Sequence, residues 1–392
     1  MRWLGENPFH TLLLWTARPA DWAVWQIAPL PLVIAALSGW LWARVTGQPG
    51  AGWGVALGLL ALALADWSLL AALPRKGLSF GAVQPPWLGL VVLRGLSALL
   101  ALPLAARWPG PTLALLILAQ ILLSIGAWYG THVEPFRLQT SHLEIQTAKW
   151  SNSSSSVRIV QISDLHIERL TRRERALPAL AEALQPDLIA LTGDFLSTSY
   201  RDDPRALSDL SWLLGQLRAP AGVWAVWGTA EVDLPPVLRP VLEEAGVVVL
   251  EDQAREVEVR GQRLWLMGLR CLRQPEEESR TLACLLSPAP ADAVTVLLYH
   301  VPDLMPQAAA LGVDLFLTGH THGGQWRLPC FGALLTSSRY WKRYEAGHYR
   351  QGRTHLYVSR GLGLEGFGTP RARFFCPPEL VAVTIRAAEK RS

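Results

Sequence analysis

Long uninterrupted apolar runs occupy the first third of the chain. Each approaches the ~20 residues that a helix needs to cross a bilayer. The four runs are Val24–Ala43, Trp53–Leu73, Trp87–Ala106 and Thr112–Trp128. Eleven of the 18 Trp precede Tyr129, many at the ends of these runs, as in an interfacial belt. The first run is too long for a signal peptide, and three more follow it. The pattern predicts four transmembrane helices in a membrane domain over residues 1–133.

Two charged residues, Asp66 and Arg94, fall inside these predicted spans. Ionisable groups in hydrocarbon are costly unless they are compensated. Pairing of Asp66 with Arg94 between two helices would compensate both charges. Alternatively, Asp66 would extend toward the nearby helix end and reach the headgroup region.

From Glu134 onward the pattern changes to short strands and helices, which predicts a second domain over residues 134–392. Leu143–Gln146 alternates like a half-buried strand, and Val157–Ile162 follows it. Helices are predicted around Arg175–Leu184 and Ala206–Gln216. Further strands are predicted at Leu188–Leu191, Val223–Trp227, Val247–Leu250, Leu264–Met267, Val294–Leu298 and Leu315–Leu317. Alternating elements of this kind are typical of an α/β domain with helices outside packed sheets. The acidic run Glu276–Glu278 is predicted to be a solvated turn.

Charge is distributed unevenly between the two predicted domains. Of 36 Lys/Arg and 32 Asp/Glu, only 7 and 3 precede Glu134, so the net charge of +4 belongs to the first third. No dense Lys/Arg stripe with interleaved aromatics occurs, which argues against a nucleic-acid partner. The four cysteines show no CxxC spacing and fit a reducing compartment.

Basic residues near the predicted membrane boundaries favour one orientation. With four spans, both chain ends share one side. That side carries Arg2, Arg18, Arg75, Lys76 and Arg137, whereas the other carries Arg44 and Arg107. The positive-inside rule then predicts a cell-membrane protein whose C-terminal domain is cytoplasmic.

Asp and His residues stand where several predicted strands end. Polar side chains at strand ends project into a shared crevice, which is where open α/β folds bind ligands. A mixed Asp/His set suits Mn, Fe, Zn or a similar divalent ion, and the absence of Cys argues against a structural zinc site. The candidate metal ligands are Asp164, His166, Asp194, His300, His320 and His322.

The strings around these residues resemble the calcineurin-like metallophosphoesterases, in particular their membrane-associated bacterial branch. In chain order they are Gln161–His166, Leu191–Asp194, Tyr299–Asp303, Thr318–Gln325 and Leu356–Gly363. Five such strings in family order make coincidence very improbable. The resemblance covers Glu134 to the C-terminus and implies two packed β-sheets flanked by helices, with a two-metal site between them. It implies one metal held by Asp164, His166, Asp194 and His322, and a second held by Asp194, His300, His320 and an Asn.

The family's G-N-H-[DE] motif is altered in this chain, where it reads Gly228-Thr229-Ala230-Glu231. Thr229 replaces the Asn ligand, so the second metal site is expected to be weaker. Ala230 replaces the catalytic His, and loss of such a group costs on the order of 10²–10⁴ in rate. Three interpretations stay open. The site holds two metals, with Thr229, Glu231 or water filling the gap; it holds one tight metal; or it is non-catalytic and binds a metal or phosphorylated ligand in a regulatory role.

The expected function is hydrolysis of a phosphoester or pyrophosphate bond by a membrane-anchored, metal-dependent enzyme. Related enzymes hydrolyse lipid-A precursors such as UDP-diacylglucosamine, or phospholipid headgroups. Four membrane helices therefore make a phosphorylated, lipid-linked substrate at the bilayer the expected partner. Asp194, Glu231 and Arg360 are the candidate catalytic residues, with Arg360 expected to contact substrate or to fix the metal-site loops.

Overall fold

The computed structural model describes residues 18–150, 156–364 and 371–388. The chain forms two compact units that divide between Val133 and Glu134, and Arg371 and Ala372 group with the first unit. Arg2, which contributes to the predicted charge asymmetry, lies outside the described residues.

Within the described residues, four helices of the first unit are long and apolar enough to span a membrane. Each begins with proline in its first turn, where the missing N–H removes no helical hydrogen bond. Short helical turns occur at Arg18–Asp21, Val24–Ile27, Leu102–Ala105 and Tyr129–Val133. The long helices are α1 (Pro29–Thr46), α2 (Pro49–Ala71), α3 (Gln84–Leu100) and α4 (Pro109–Trp128). The prediction of four membrane-length helices is confirmed.

The two charged residues inside the spans pair with each other. Arg94 donates from Nε and Nη2 to the two carboxylate oxygens of Asp66 at 2.7 and 2.8 Å. It also donates to the carbonyl and side-chain oxygens of Gln120, both at 3.1 Å, and to Ser124 at 2.9 Å. Both charged residues are buried. The network links α2, α3 and α4, and it favours pairing over extension of Asp66 toward the helix end.

Helices α1 and α2 approach each other backbone to backbone. A Cβ added at Gly39 would lie 2.6 Å from the carbonyl oxygen of Gly52, and one added at Gly52 would lie 2.5 Å from that of Gly39. Small residues at this crossing permit the close van der Waals packing that associates helices in a membrane.

The second unit contains two six-stranded sheets. The strands of the first sheet are β1 (Gln139–Thr147), β2 (Ser156–Ile162), β3 (Leu188–Thr192), β4 (Val223–Val226), β5 (Val247–Val249) and β14 (Glu379–Ala387). Strands β2, β3, β4 and β5 run parallel, and β14 lies between β1 and β2, antiparallel to β2.

The strands of the second sheet are β6 (Gln253–Val259), β7 (Gln262–Gly268), β8 (Val294–Leu298), β9 (Leu315–Thr318), β12 (Gly347–Gln351) and β13 (Thr354–Val358). Its four central strands run parallel in the order β13, β9, β8 and β7, and the antiparallel strands β12 and β6 form the two edges. A short hairpin pairs β10 (Arg327–Leu328) with β11 (Gly332–Ala333).

Three apolar clusters hold the second unit together. The first lies between the sheets and joins side chains such as Ile159 and Leu188 to Leu266 and Val296. The other two cover the outer faces of the sheets. The helices are α5 (Arg172–Ala183), α6 (Pro204–Leu214), α7 (Pro235–Glu244), α8 (Pro275–Leu286) and α9 (Met305–Leu311). The prediction of two packed sheets flanked by helices is confirmed.

The prediction of a solvated turn at Glu276–Glu278 is wrong. These residues form the first turn of α8, where carboxylates interact favourably with the positive end of the helix dipole. Glu278 is only 2% exposed and accepts a hydrogen bond from the hydroxyl of Tyr299 at 2.6 Å. Three consecutive glutamates resemble a solvated loop in sequence, because a run of identical residues does not show which of them faces inward.

Candidate metal centre

The six predicted ligands converge at the edge where β2, β3, β8 and β9 end. Two overlapping sets of donor atoms form there, and within each set all atoms lie within 4.8 Å of one another. The first set comprises Asp164, His166, Asp194 and His322, and the second comprises Asp194, His300 and His320. All six residues are buried. A carboxylate shared by two donor sets would allow two divalent ions to bind next to each other.

Five of the six ligands have left-handed backbone conformations. Their φ angles are 51° at Asp164, 41° at His166, 55° at Asp194, 68° at His320 and 50° at His322. Such conformations are uncommon for residues with a side chain and cost of the order of 1–3 kcal/mol each. The surrounding fold therefore imposes the turns that direct these side chains into the centre.

Glycine permits the loops to approach the ligands closely. A Cβ added at Gly228 would lie 2.1 Å from Oδ1 of Asp194, and one added at Gly319 would lie 2.1 Å from Oδ2 of Asp164. Any side chain at either position would displace a ligand carboxylate.

Hydrogen bonds orient the imidazoles. Nδ1 of His300 lies 2.7 Å from the carbonyl oxygen of Thr192, so Nδ1 carries the proton and Nε2 faces Oδ2 of Asp194 at 3.2 Å. Nδ1 of His320 lies 3.3 Å from Nε2 of His300. In the first set, the Nε2 atoms of His166 and His322 face each other at 3.0 Å.

These contacts fit a bound cation. Nε2 of His166 is also 3.5 Å from Asp194, and Nε2 of His322 is 3.5 Å from Asp164. Two facing imidazole nitrogens can share at most one proton, whereas a divalent ion between them would satisfy both lone pairs and both carboxylates. The donors present therefore suit the metal ions that the sequence predicts.

Burial and mutual charge shift the protonation of the cluster. Burial raises the pKa of Asp164. Burial would also raise that of Asp194, but His300 and His166 outweigh this effect and hold the pKa below its ordinary value. Burial would lower the pKa of His300, yet Asp194 and Asp164 raise it to about 9. A metal ion that bound His300 would therefore have to displace a proton, and we expect metal affinity to fall as the pH is lowered.

The two histidines of the Gly319–His322 loop are held neutral. Burial places the pKa of His320 well below its ordinary value, and the positive charge of Arg273 lowers it further. Burial and His166 have the same effect on His322. Neutral imidazoles are the form that ligates metals.

Asp233 organises two of the loops, and the sequence did not identify it. Its Oδ2 accepts hydrogen bonds from the amides of Asp194 at 2.9 Å and Gly228 at 2.7 Å, and its Oδ1 accepts one from Phe195 at 2.9 Å. Burial and the charge of Asp194 raise its pKa to about 7. In sequence it is an ordinary loop acid two residues beyond Glu231, so nothing distinguished it.

Arg373 supports the loop that covers Asp164, and it was also missed. Its buried guanidinium donates to the carbonyl oxygens of Arg360, Gly361 and Gly363 at 2.9, 3.2 and 2.7 Å. The amide of Gly363 in turn donates to the carbonyl of Asp164 at 2.7 Å. Burial lowers the pKa of Arg373 to about 10. The sequence signal that could have indicated its burial was its position directly before two phenylalanines, Phe374 and Phe375.

The remaining predicted site residues lie outside the two donor sets. Glu231 is exposed, and its carbonyl oxygen accepts a hydrogen bond from Arg201 at 3.1 Å. Arg360 pairs with the buried carboxylate of Glu379 at 2.8 Å. Thr229 donates its amide to Oδ1 of Asp194 at 2.7 Å, and Ala230 is exposed. The segment Gly228–Glu231 thus directly contacts the shared ligand.

Residues 157–324, which include all six ligands, match the family model of the calcineurin-like phosphoesterases. The chain therefore contains a domain of the calcineurin-like phosphoesterase type.

Similar proteins align over about two thirds of this chain. The uncharacterized metallophosphoesterase YkuE of Bacillus subtilis is 28% identical over 281 residues, which cover 69% of this chain and 94% of YkuE. The phosphodiesterase YaeI of Escherichia coli is 29% identical, over 68% of this chain and 95% of YaeI. The UDP-2,3-diacylglucosamine pyrophosphatase LpxG of Chlamydia muridarum is 25% identical, over 69% of this chain and 94% of LpxG.

Proposed function

We propose that this protein is a membrane-anchored, metal-dependent phosphoesterase that hydrolyses a phosphoester or pyrophosphate bond in a lipid-linked substrate. The observation that carries this proposal is Asp194, whose carboxylate belongs to both donor sets. Sharing of one carboxylate between two cation sites is characteristic of centres that act on phosphoryl groups.

The chain's own residues position the reaction. Asp164, His166, Asp194 and His322 would hold one ion, and Asp194, His300 and His320 a second. Ions bound there would lower the pKa of a water molecule and neutralise charge on the phosphoryl group. The hydrogen bond from His300 to Thr192 and those from the loop amides to Asp233 fix the ligands before substrate arrives.

Hydrolysis adds water across a P–O bond, with the oxygen going to phosphorus and a proton to the leaving oxygen. Ala230 has no proton to offer, so the leaving oxygen takes one from solvent or from the substrate itself. Glu231 stays a candidate catalytic residue because it follows Ala230. The pairing of Arg360 with Glu379 supports a role in fixing the loop over the metal ligands.

A lipid-linked substrate is supported by two findings. The chain carries four membrane-length helices, and LpxG is named for a pyrophosphate bond in a diacylated sugar nucleotide. An enzyme anchored in the bilayer meets such substrates at the membrane surface, where their local concentration is high.

This proposal predicts Mn²⁺-dependent turnover that favours lipid-linked substrates. The full-length protein in detergent micelles is expected to hydrolyse bis-p-nitrophenyl phosphate with added Mn²⁺, and to lose that activity with EDTA. In vesicles, a diacylated sugar-nucleotide pyrophosphate should have a higher kcat/KM than its deacylated form, because only the former partitions into the bilayer. Equal values for both forms would contradict the lipid-linked part alone.

The alternative is a membrane-bound binding or regulatory protein with an impaired phosphoesterase domain. Ala230 favours it because the usual proton-carrying group is absent. Two results together would support this alternative. The protein would bind metal tightly without turnover of any phosphoester tested, and replacement of Thr229 and Ala230 would not produce turnover.

We further propose that the phosphoesterase domain lies in the cytoplasm. The side of the membrane that holds both chain ends carries the excess of basic residues, and the positive-inside rule assigns that side to the cytoplasm. A C-terminal alkaline phosphatase fusion should then be inactive in cells, whereas a green fluorescent protein fusion should fluoresce. A fusion to Gly47, between the first two spans, is the matched control and should give the opposite pair of results. An active phosphatase at the C-terminus would overturn the cytoplasmic assignment.

A further inference from the structure

A cationic side chain contacts the second donor set. Nη2 of Arg273 lies 3.0 Å from Nε2 of His320. Arg273 is in the loop that follows β7, and β7 pairs with β8, the strand that leads to His300. The loop therefore reaches the same edge of the second sheet as the metal ligands.

The position of Arg273 is determined by buried contacts. Oε1 of Glu278 accepts hydrogen bonds from the amides of Leu272 and Arg273, both at 2.9 Å, and from the hydroxyl of Tyr299 at 2.6 Å. Tyr299 immediately precedes His300, and Glu278 is 2% exposed. Arg273 also has a left-handed φ of 56°. One buried carboxylate thus ties the Arg273 loop to the strand end that carries His300.

The contact with Arg273 places a positive charge beside a predicted ligand of the second ion. Nη2 of Arg273 lies 3.0 Å from Nε2 of His320, and the other ring nitrogen of His320, Nδ1, lies 3.3 Å from Nε2 of His300. A guanidinium is not deprotonated in proteins, so this charge is permanent. A divalent ion held by His320 would therefore lie about one imidazole ring away from a like charge, which disfavours its binding.

We propose that Arg273 competes with the second metal ion for His320, so that the native protein holds one tight ion with a guanidinium beside it. The proposal rests on the metal-dependent function above but concerns occupancy rather than turnover. Thr229, in place of an Asn ligand, weakens the same position. A guanidinium binds phosphate oxygens through paired hydrogen bonds, and it supplies there the positive charge that a second cation would.

The test is a Mn²⁺ titration of the metal-stripped, full-length protein in detergent, with bound ion counted by mass spectrometry and electron paramagnetic resonance. The wild-type protein should hold one tight ion per chain. Arg273→Met keeps an apolar stem without charge and should tighten binding of a second ion about tenfold or more, because a like charge in contact with the ligand is removed. Arg273→Gln should behave in the same way and serves as a second variant if Arg273→Met does not fold.

Arg270→Met is the matched control. Arg270 belongs to the same loop but is exposed and pairs with Asp252 at 2.6 Å. Its replacement removes one positive charge from the loop and leaves the contact between Arg273 and His320 in place. It should keep the wild-type stoichiometry. In the Arg273→Met background, His320→Ala should remove the second ion and leave the first.

Two tight ions in the wild-type protein would overturn the proposal. So would equal second-ion affinities in the Arg273→Met and Arg270→Met variants. The readout of this test is bound metal and not turnover. A protein that binds one ion but turns over no phosphoester would therefore contradict the hydrolase function and still support the proposal about Arg273. A wild-type chain that binds no ion would overturn both.

Discussion

Replacement of Asp194 by asparagine is expected to abolish tight metal binding and to lower phosphoesterase turnover on the order of 10³-fold or more. Asp194 is the one ligand that belongs to both donor sets, and its Oδ2 faces His166 and His300 at 3.5 and 3.2 Å. Asparagine keeps an oxygen for the amide of Thr229, which donates to Oδ1, but it removes the negative charge. Metal content by mass spectrometry and Mn²⁺-dependent turnover measure the two effects.

Asp187→Asn provides the control for this variant. Asp187 is also a buried aspartate next to β3, but it precedes the strand, whereas Asp194 follows it. It accepts from the amide of Arg158 at 2.8 Å and pairs with Arg260, far along the strand from the metal ligands. Its replacement should lower thermal stability without loss of metal. Unchanged metal content and turnover in Asp194→Asn would contradict both the shared-ligand role and the hydrolase function.

Features that depend on local pattern were predictable from the sequence. The four membrane-length helices follow from long apolar runs, and the strands that lead to the ligands follow from short apolar runs that end in polar residues. Because the carboxyl ends of parallel strands meet at one edge of a sheet, residues such as Asp164 and His300 were expected to converge. The structure brings together all six predicted ligands at that edge.

Features that depend on contacts between distant segments were not predictable. Strand β14 lies between β1 and β2, although more than two hundred residues separate it from either. Arg273 contacts His320 across 47 residues, and Asp233 contacts the amide of Asp194 across 39. The choice between pairing and extension of Asp66 likewise required the packing of three helices. Residue type alone carries no information about such partners.

The loop that contains Thr229 supports the shared ligand through its backbone. The amide of Thr229 keeps its hydrogen bond to Asp194, and Asp233 still binds the amide of Gly228. Both of these bonds start from backbone amides and do not depend on the side chains of Thr229 and Ala230. The two side chains can therefore be replaced to test their effect on turnover while the backbone support of Asp194 is kept.

The double variant Thr229→Asn with Ala230→His is expected to raise kcat toward bis-p-nitrophenyl phosphate about 10²-fold with excess Mn²⁺, as a proton-carrying group and a carboxamide ligand typically contribute. Ala230 is exposed, so an imidazole there meets no packed core, and the amide of Thr229 can keep its bond to Asp194. Turnover and bound Mn²⁺ should be measured together in the double variant and in both single variants.

The single variants separate the two contributions. Thr229→Asn alone should raise occupancy of the second ion with a small change in kcat, whereas Ala230→His alone should raise kcat at unchanged occupancy, because histidine acts on the substrate rather than on the metal. If Arg273 still competes for His320, the gain from Thr229→Asn will be larger in the Arg273→Met background. A double variant with two bound ions and unaltered kcat would show that the missing side chains do not limit catalysis, and the rate would then depend on access of the substrate to the centre.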